Sequence, residues 1–183
     1  IGDENWTPSV NPELDYDSDG CRDVTEDQDD DNDGICDIGG PSYYGTDRYC
    51  VRAYAGEDLC PKGYLNYTST IGSDYDQDGC NDFYEDLDDD NDVVPDLIDD
   101  CTYGILNWTS NPTTDYDSDG CQDTTEDLDD DNDGVLDTSD QCVKGNIGWT
   151  QSSQTDYDSD GCHDTIEDND DDNDGLYDVM DSC

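Results

Sequence analysis

Four stretches of this chain place carboxylates at alternate positions, in the same order each time. The pattern DYDxDG begins at Asp15, Asp74, Asp115 and Asp156. In the copy that runs from Asp115 to Asp137, nearly half of the residues are acidic and none is basic. Alternating oxygen side chains around a glycine suit a hard cation. A twelve-residue calcium loop needs oxygens at positions 1, 3, 5, 9 and 12, a carbonyl at 7 and glycine at 6 for the sharp turn. The first loops supply Asp15, Asp17, Asp19, Asp23 and Glu26; Asp74, Asp76, Asp78, Asp82 and Glu85; Asp115, Asp117, Asp119, Asp123 and Glu126; and Asp156, Asp158, Asp160, Asp164 and Glu167. Glutamate at position 12 can bind through both oxygens.

A second loop follows each first one at a constant offset, beginning at Asp29, Asp88, Asp129 and Asp170. Repeat 3 offers Asp129, Asp131, Asp133, Asp137 and Asp140, and repeat 4 offers Asp170, Asp172, Asp174, Asp178 and Asp181. Repeat 2 offers Asp88, Asp90, Asp92, Asp96 and Asp99, but Val93 replaces the glycine, which predicts a distorted or weaker site. Repeat 1 offers Asp29, Asp31, Asp33 and Asp37, with Gly40 at position 12. Its missing ligand is sought in Asp47, Glu57 or Asp58, and Asp58 aligns with Asp99, Asp140 and Asp181 once an insertion is removed. Carboxylates outside both loops, such as Asp127 and Asp130, are spare. About two calcium ions per repeat are expected, and the spare acids raise the expectation of a third.

These loops must be positioned without an ordinary core. The 183 residues include 54 acidic and 5 basic ones, a formal charge of −49. Such a chain would be disordered on charge alone, yet it carries ten cysteines, 13 tyrosines and three tryptophans in regular register. Small coreless domains use disulfides and metals instead. The step from Asp74 to Asp115 equals the step from Asp115 to Asp156, whereas the step from Asp15 to Asp74 is longer, so repeat 1 carries an insertion. The organisation is an N-terminal linker at 1–14, repeat 1 at 15–59 with an inserted loop at 38–57, and a linker at 60–73. Repeat 2 at 74–100, a linker at 101–114, repeat 3 at 115–141, a linker at 142–155 and repeat 4 at 156–183 follow. Only two residues separate paired loops, which leaves no room for the helices of a signalling EF-hand. The expected fold is therefore irregular: an elongated tandem array of calcium loops held by metal and disulfides. Short β-strands are expected only in the linkers, for instance around "GILNWTS".

Tandem DxDxDGxxDxx(D/E) loops without helices, joined by regularly spaced cysteines, resemble the thrombospondin type 3 repeat. The resemblance covers the four acidic halves, about half of the chain. It implies an elongated array wrapped around calcium and stapled by disulfides, with an extracellular adhesive or structural role. The aromatic, Ser/Thr-rich linkers, the insertion, Val93 and the glutamate ending each first loop depart from the family pattern.

Two regular cysteine pairings are open. Pairing within repeats gives Cys21–Cys60, Cys36–Cys50, Cys80–Cys101, Cys121–Cys142 and Cys162–Cys183, and is preferred because it uses all ten. Pairing across linkers gives Cys60–Cys80, Cys101–Cys121 and Cys142–Cys162, leaving Cys21 and Cys183 single. Sequence alone does not fix connectivity. The even count predicts a secreted, oxidising setting, extracellular or at the cell surface. Sequons at Asn5, Asn66 and Asn107 fall at one place in the repeat and predict N-glycosylation; the Ser/Thr runs that follow predict O-linked sugars.

Such negative charge disfavours nucleic acid and anionic lipid and favours cations. No apolar run is long enough to span a membrane. One histidine, His163, and no evident nucleophile–base pair argue against an enzyme. The expected function is an extracellular calcium-binding structural module: a rigid stalk, spacer or glycosylated fibre built by head-to-tail self-association. The alternative is a high-capacity calcium buffer or mineral-nucleating protein, a role that would not require strict register.

Overall fold

The computed structural model describes residues 13–37, 50–51 and 57–181. Among them there is no helix and no β-strand, only turns, bends and one isolated parallel bridge between Ile35 and Val51. The irregular fold matches expectation, whereas the "GILNWTS" segment forms no strand. It runs as turns and bends because its amides bond carboxylates of the loops rather than another extended segment: Ile105 N–H donates to both Glu126 oxygens, at 3.3 and 3.0 Å.

The chain divides into two compact units, one of Ile1–Asn91 with Pro95–Leu97, the other of Asp92–Val94 with Ile98–Cys183. In the first, the backbone is organised by the loops themselves. The amide of Leu59 donates to the carbonyl of Asp78 at 2.8 Å, and that of Ser69 to Asp33 at 2.8 Å. The second unit repeats this: Asp100 to Asp119 at 2.8 Å, Gln141 to Asp160 at 2.7 Å and Gln151 to Asp133 at 2.7 Å. In each case the acceptor is the carbonyl of a position-5 aspartate. Each linker is thereby pinned to the second loop before it and the first loop after it.

That pinning decides the disulfides. It brings each linker cysteine beside the cysteine of the following first loop, giving Cys60–Cys80, Cys101–Cys121 and Cys142–Cys162, each with a sequence separation of 20. The within-repeat pairs Cys80–Cys101 and Cys121–Cys142 are therefore corrected, as are Cys21–Cys60 and Cys162–Cys183. Cys36–Cys50 forms as expected and anchors the insertion. Cys21 is the free cysteine among the described residues; Cys183 lies outside them.

The buried set inverts the usual one. Its apolar members are Ile35, Cys36, Cys50, Cys80, Val94, Cys121 and Cys162, while twenty aspartates and Asn81 are buried with them. Leu, Val, Ile and aromatic side chains such as Leu97 and Val179 are exposed. Carboxylates shielded from water are costly unless paired or metal-bound. A core of aspartate is therefore stable only with its charge neutralised, by bound cations or by protons.

Candidate metal centres

The first loops curl because two of their residues adopt left-handed backbone. In repeat 3 these are Ser118, φ 67°, and Gly120, φ 90°; the same two positions are left-handed in every repeat. This curl aims positions 1, 3 and 5 inward. Asp74, Asp76 and Asp78 each offer an oxygen within 4.8 Å of the others, and so do Asp15, Asp17 and Asp19. Position 1 is the most enclosed: Asp74, Asp115 and Asp156 are 0% exposed. Asp115 accepts the amides of Ser118 at 2.7 Å and Gly120 at 3.3 Å, so the loop holds its shape through its own side chains. Burial, and then the neighbouring Asp78, push Asp76 up to about 8. Burial and the neighbouring Asp119 push Asp117 up to about 7.

Positions 9 and 12 also take backbone amides. The Oδ1 atoms of Asp23, Asp82, Asp123 and Asp164 accept the position-2 amides of Tyr16, Tyr75, Tyr116 and Tyr157, at 2.9–3.1 Å. Position 9 thus closes the loop. Glu85, Glu126 and Glu167 turn toward the preceding linker, accepting the amides of Tyr64, Ile105 and Asn146. Gly63 and Gly145 sit where a Cβ would strike Glu85 and Glu167, and their amides donate to Asp31 and Asp131 at 2.8 and 2.7 Å. The position-12 glutamate therefore lies beside the second loop of the repeat before it.

The second loops of repeats 1 and 3 form further enclosed centres. Asp29, Asp31 and Asp33 converge within 4.8 Å and are 8%, 1% and 1% exposed. Asp58 joins them from beyond the insertion. It is 5% exposed, pushed up to about 8 by burial and by Asp33, Asp31 and Asp37, and its Oδ1 lies where a Cβ on Gly79 would be. Burial pushes Asp29 and Asp33 up to about 7. Repeat 3 is built alike: Asp131 and Asp133 are 1% and 0% exposed, and Asp140 packs on Gly161. Asp129 Oδ1, Asp131 Oδ1, Asp133 Oδ2 and Asp140 Oδ2 are shielded and accept no hydrogen bond. In repeat 2, Asp88, Asp90 and Asp96 belong to the first unit, and Asp92 and Asp99 to the second. Val93 nevertheless takes the glycine conformation, φ 88° against 97° at Gly134, so the cost falls on one residue's backbone. In repeat 4, Asp172, Asp174 and Asp178 are exposed, and Asp170 and Asp181 partly so.

A further cluster lies between the loops. Asp86, next after Glu85, is pushed up to about 7 by burial and by Asp78. Oδ2 of Asp27, Asp86, Asp127 and Asp168 is shielded without a hydrogen-bond partner in all four repeats. Second-loop asparagines reach into the same region: Asn91 Nδ2 donates to Asp76 and Asp78, Asn132 to Asp119 at 3.0 Å, and Asn173 to Asp160 at 2.9 Å. The sequence reading passed over these asparagines, although one occupies the same place in each DDND run. Cys21 shares a group with Asp19 and Asp27, but burial and its hydrogen bond to Asp19 push its thiol up to about 12. It is a neutral thiol at physiological pH and a poor partner for a hard ion.

The linkers report on the sequons. Asn66 and Asn107 are exposed and left-handed, φ 72° and 69°, and the aligned Gly148 has φ 87°. Asparagine and glycine are the residues that tolerate this backbone, so the register of the sequons has a conformational cause besides any sugar. Asn5 lies outside the described residues. Tyr67 Oη lies 2.9 Å from Asp33 Oδ2 and 2.6 Å from the Gly79 carbonyl oxygen, whereas Trp149 meets His163 edge-on at 4.8 Å.

Taken together, these groups supply many hard oxygens and few protein cations, a donor set that fits calcium. No protein-family model matches the chain, and comparison with curated proteins finds no match.

Proposed function

We propose that this protein is an extracellular calcium-rigidified structural module of the thrombospondin type 3 kind, with no catalytic role. The observation that carries the reading is the aspartate cluster of the second loops in repeats 1 and 3, where several carboxylates each keep one oxygen shielded with no hydrogen bond. Asp131, Asp133 and Asp140 are the clearest case. In low-dielectric surroundings such groups repel, and only bound cations or protons make the arrangement stable. Calcium binding and folding are then one equilibrium. The four disulfides fit an oxidising setting. They also favour a structural role over a buffer, because ion capacity alone needs no cross-linked register.

On this reading each repeat holds an ion in its first loop and one in its second. The between-loop aspartates Asp27, Asp86, Asp127 and Asp168 help hold a third. The module acts as a stalk or spacer, glycosylated at the exposed Asn66 and Asn107. Head-to-tail association into a fibre would cover the exposed carboxylates of repeat 4. Native mass spectrometry with and without a chelator tests the reading. More than eight calcium ions on a compact chain that expands on chelation is the expected result. Few ions on a chain whose compactness ignores the chelator would overturn it, and eight or fewer on a chain that does respond would remove the third ion alone.

A further inference from the structure

Each joint between repeats is made by one tripeptide, Asp-x-Cys: Asp58-Leu59-Cys60, Asp99-Asp100-Cys101 and Asp140-Gln141-Cys142. Within it the aspartate Oδ1 accepts the cysteine amide, at 2.7, 2.6 and 2.6 Å, so the segment carries its own turn. Three contacts seat it on positions 5, 6 and 7 of the following first loop. The middle amide donates to the position-5 carbonyl, as described above. The aspartate Oδ1 lies where a Cβ on the position-6 glycine would be, at Gly79, Gly120 and Gly161. The cysteine closes a disulfide with position 7, Cys80, Cys121 or Cys162. An Asp-x-Cys segment is thus the ligand, and an Asp-Gly-Cys turn is its receptor.

The chain holds one more of each. Repeat 1 has the receptor, Asp19-Gly20-Cys21, in the same conformation: Ser18 and Gly20 have φ 64° and 98°, against 67° and 90° at Ser118 and Gly120. The Cys21 amide donates to Asp19 Oδ1 at 2.7 Å, as those of Cys80, Cys121 and Cys162 do to their position-5 aspartates at 2.8, 2.8 and 2.9 Å. The Cys21 thiol is half-buried and forms no disulfide among the described residues. Repeat 4 carries the ligand, Asp181-Ser182-Cys183, of which Ser182 and Cys183 lie outside the described residues. The turn that leads into it is already formed. The Met180 and Asp181 amides donate to the Tyr177 carbonyl at 2.7 and 3.0 Å, and in repeat 3 the Ser139 and Asp140 amides donate to Leu136 at the same two distances.

We infer that the Asp19-Gly20-Cys21 turn is the docking site for the Asp181-Ser182-Cys183 segment of a second copy of this chain, and that a Cys21–Cys183 disulfide joins the two. The occupant follows from the three joints within the chain, where the same receptor positions take the same tripeptide each time. Every one of those joints runs forward, from the second loop of one repeat to the first loop of the next. A second copy docked through its repeat 1 continues that direction, and a head-to-tail contact of this kind propagates into a filament. The bond forms by exchange with a small disulfide oxidant of the extracellular setting. The two cysteine thiols become one disulfide, and the oxidant leaves as two thiols carrying their hydrogens.

The inference names the contact behind the fibre reading above and rests on it. To test it, full chains made in ordinary and in heavy-nitrogen medium are mixed, reduced, and reoxidised in calcium with a small disulfide. After alkylation they are run on non-reducing gels, and their disulfide-linked peptides are mapped by mass spectrometry. The expected result is a ladder of linked chains in which the Cys21 peptide is joined to the Cys183 peptide, with mixed light–heavy pairs. Cys183→Ser is expected to collapse the ladder to monomer and leave Cys21 open to alkylation. Cys21 alkylated in the parent, Cys21 joined to any other cysteine, or a Cys21–Cys183 peptide without mixed pairs overturns the inference, as does a ladder that survives Cys183→Ser. Sedimentation separates the two readings. A parent with Cys21 free that still sediments as an assembly loses this joint alone, and one that sediments as a monomer loses the fibre as well.

Discussion

The second loops of repeats 3 and 4 have the same ligand pattern and opposite surroundings. Asp133 is 0% exposed, while Asp174 at the same position is exposed. Their own backbones agree: Asn132 and Asn173 have φ 55° and 53°, and Gly134 and Gly175 have 97° and 93°. What differs is the next linker. Gln151 donates to the Asp133 carbonyl, the Gly145 amide donates to Asp131, and Glu167 lies alongside. No described residue does this for Asp174. A loop of this type therefore makes its own first ligands but borrows its enclosure from its neighbour.

The largest effect is expected from acid on the metal-free chain. Burial pushes Asp131 and Asp140 up to about 6, against an ordinary 3.8. A carboxyl raised in the folded state favours its neutral form there. The stability it contributes is thus fully present below about pH 3.8 and is lost as pH rises through 6. In chelator, the Gln151 amide should be more protected from exchange at pH 4.5 than at pH 7.5, after correction for intrinsic rates. Equal protection would show that the enclosure does not depend on the carboxylates. Next in size, Asp133→Asn should weaken calcium binding roughly tenfold or more, the scale of lost metal-site partners. Asp174→Asn should cost less, and titration calorimetry on both compares them directly.

Gln151→Pro deletes one amide donor and should make repeat 3 behave more like repeat 4, at a cost of about 1 kcal/mol. If calcium affinity at repeat 3 is untouched, the borrowed enclosure is irrelevant to binding. Smallest is Val93→Gly in repeat 2. It relieves a left-handed β-branched residue and should raise the unfolding free energy of the loaded chain by about 1 kcal/mol, less what the freer glycine backbone gives back.

Positions 1, 3 and 5 of each loop were legible because alternation and a glycine are local requirements. The same reasoning singled out Asp58 across the insertion, since the regular period returns once the insertion is removed. Disulfide connectivity was not legible. Linker and loop cysteines alternate at nearly equal intervals, as in Cys60, Cys80 and Cys101, so spacing does not discriminate. The choice depends on how the linker folds back onto Asp78, a contact that no local pattern encodes. Glu85, Glu126 and Glu167 look like position-12 ligands for the same local reason; that each accepts a linker amide as well as one from its own loop was not legible. Asp130 read as a spare acid, and the Lys144 ammonium 3.3 Å from its Oδ2 was not legible.

The cross-linker disulfides also decide where the molecule gives way under tension. Each one shunts force past a sequence separation of 20, removing on the order of 70 Å of extensible chain. The linker that looks most pliable therefore cannot lengthen. Stretch must begin in the acidic halves, for instance between Cys80 and Cys101 or between Cys121 and Cys142. Compliance in these segments is then set by ion occupancy, and a reducing agent adds a second stage of extension after the metal has gone.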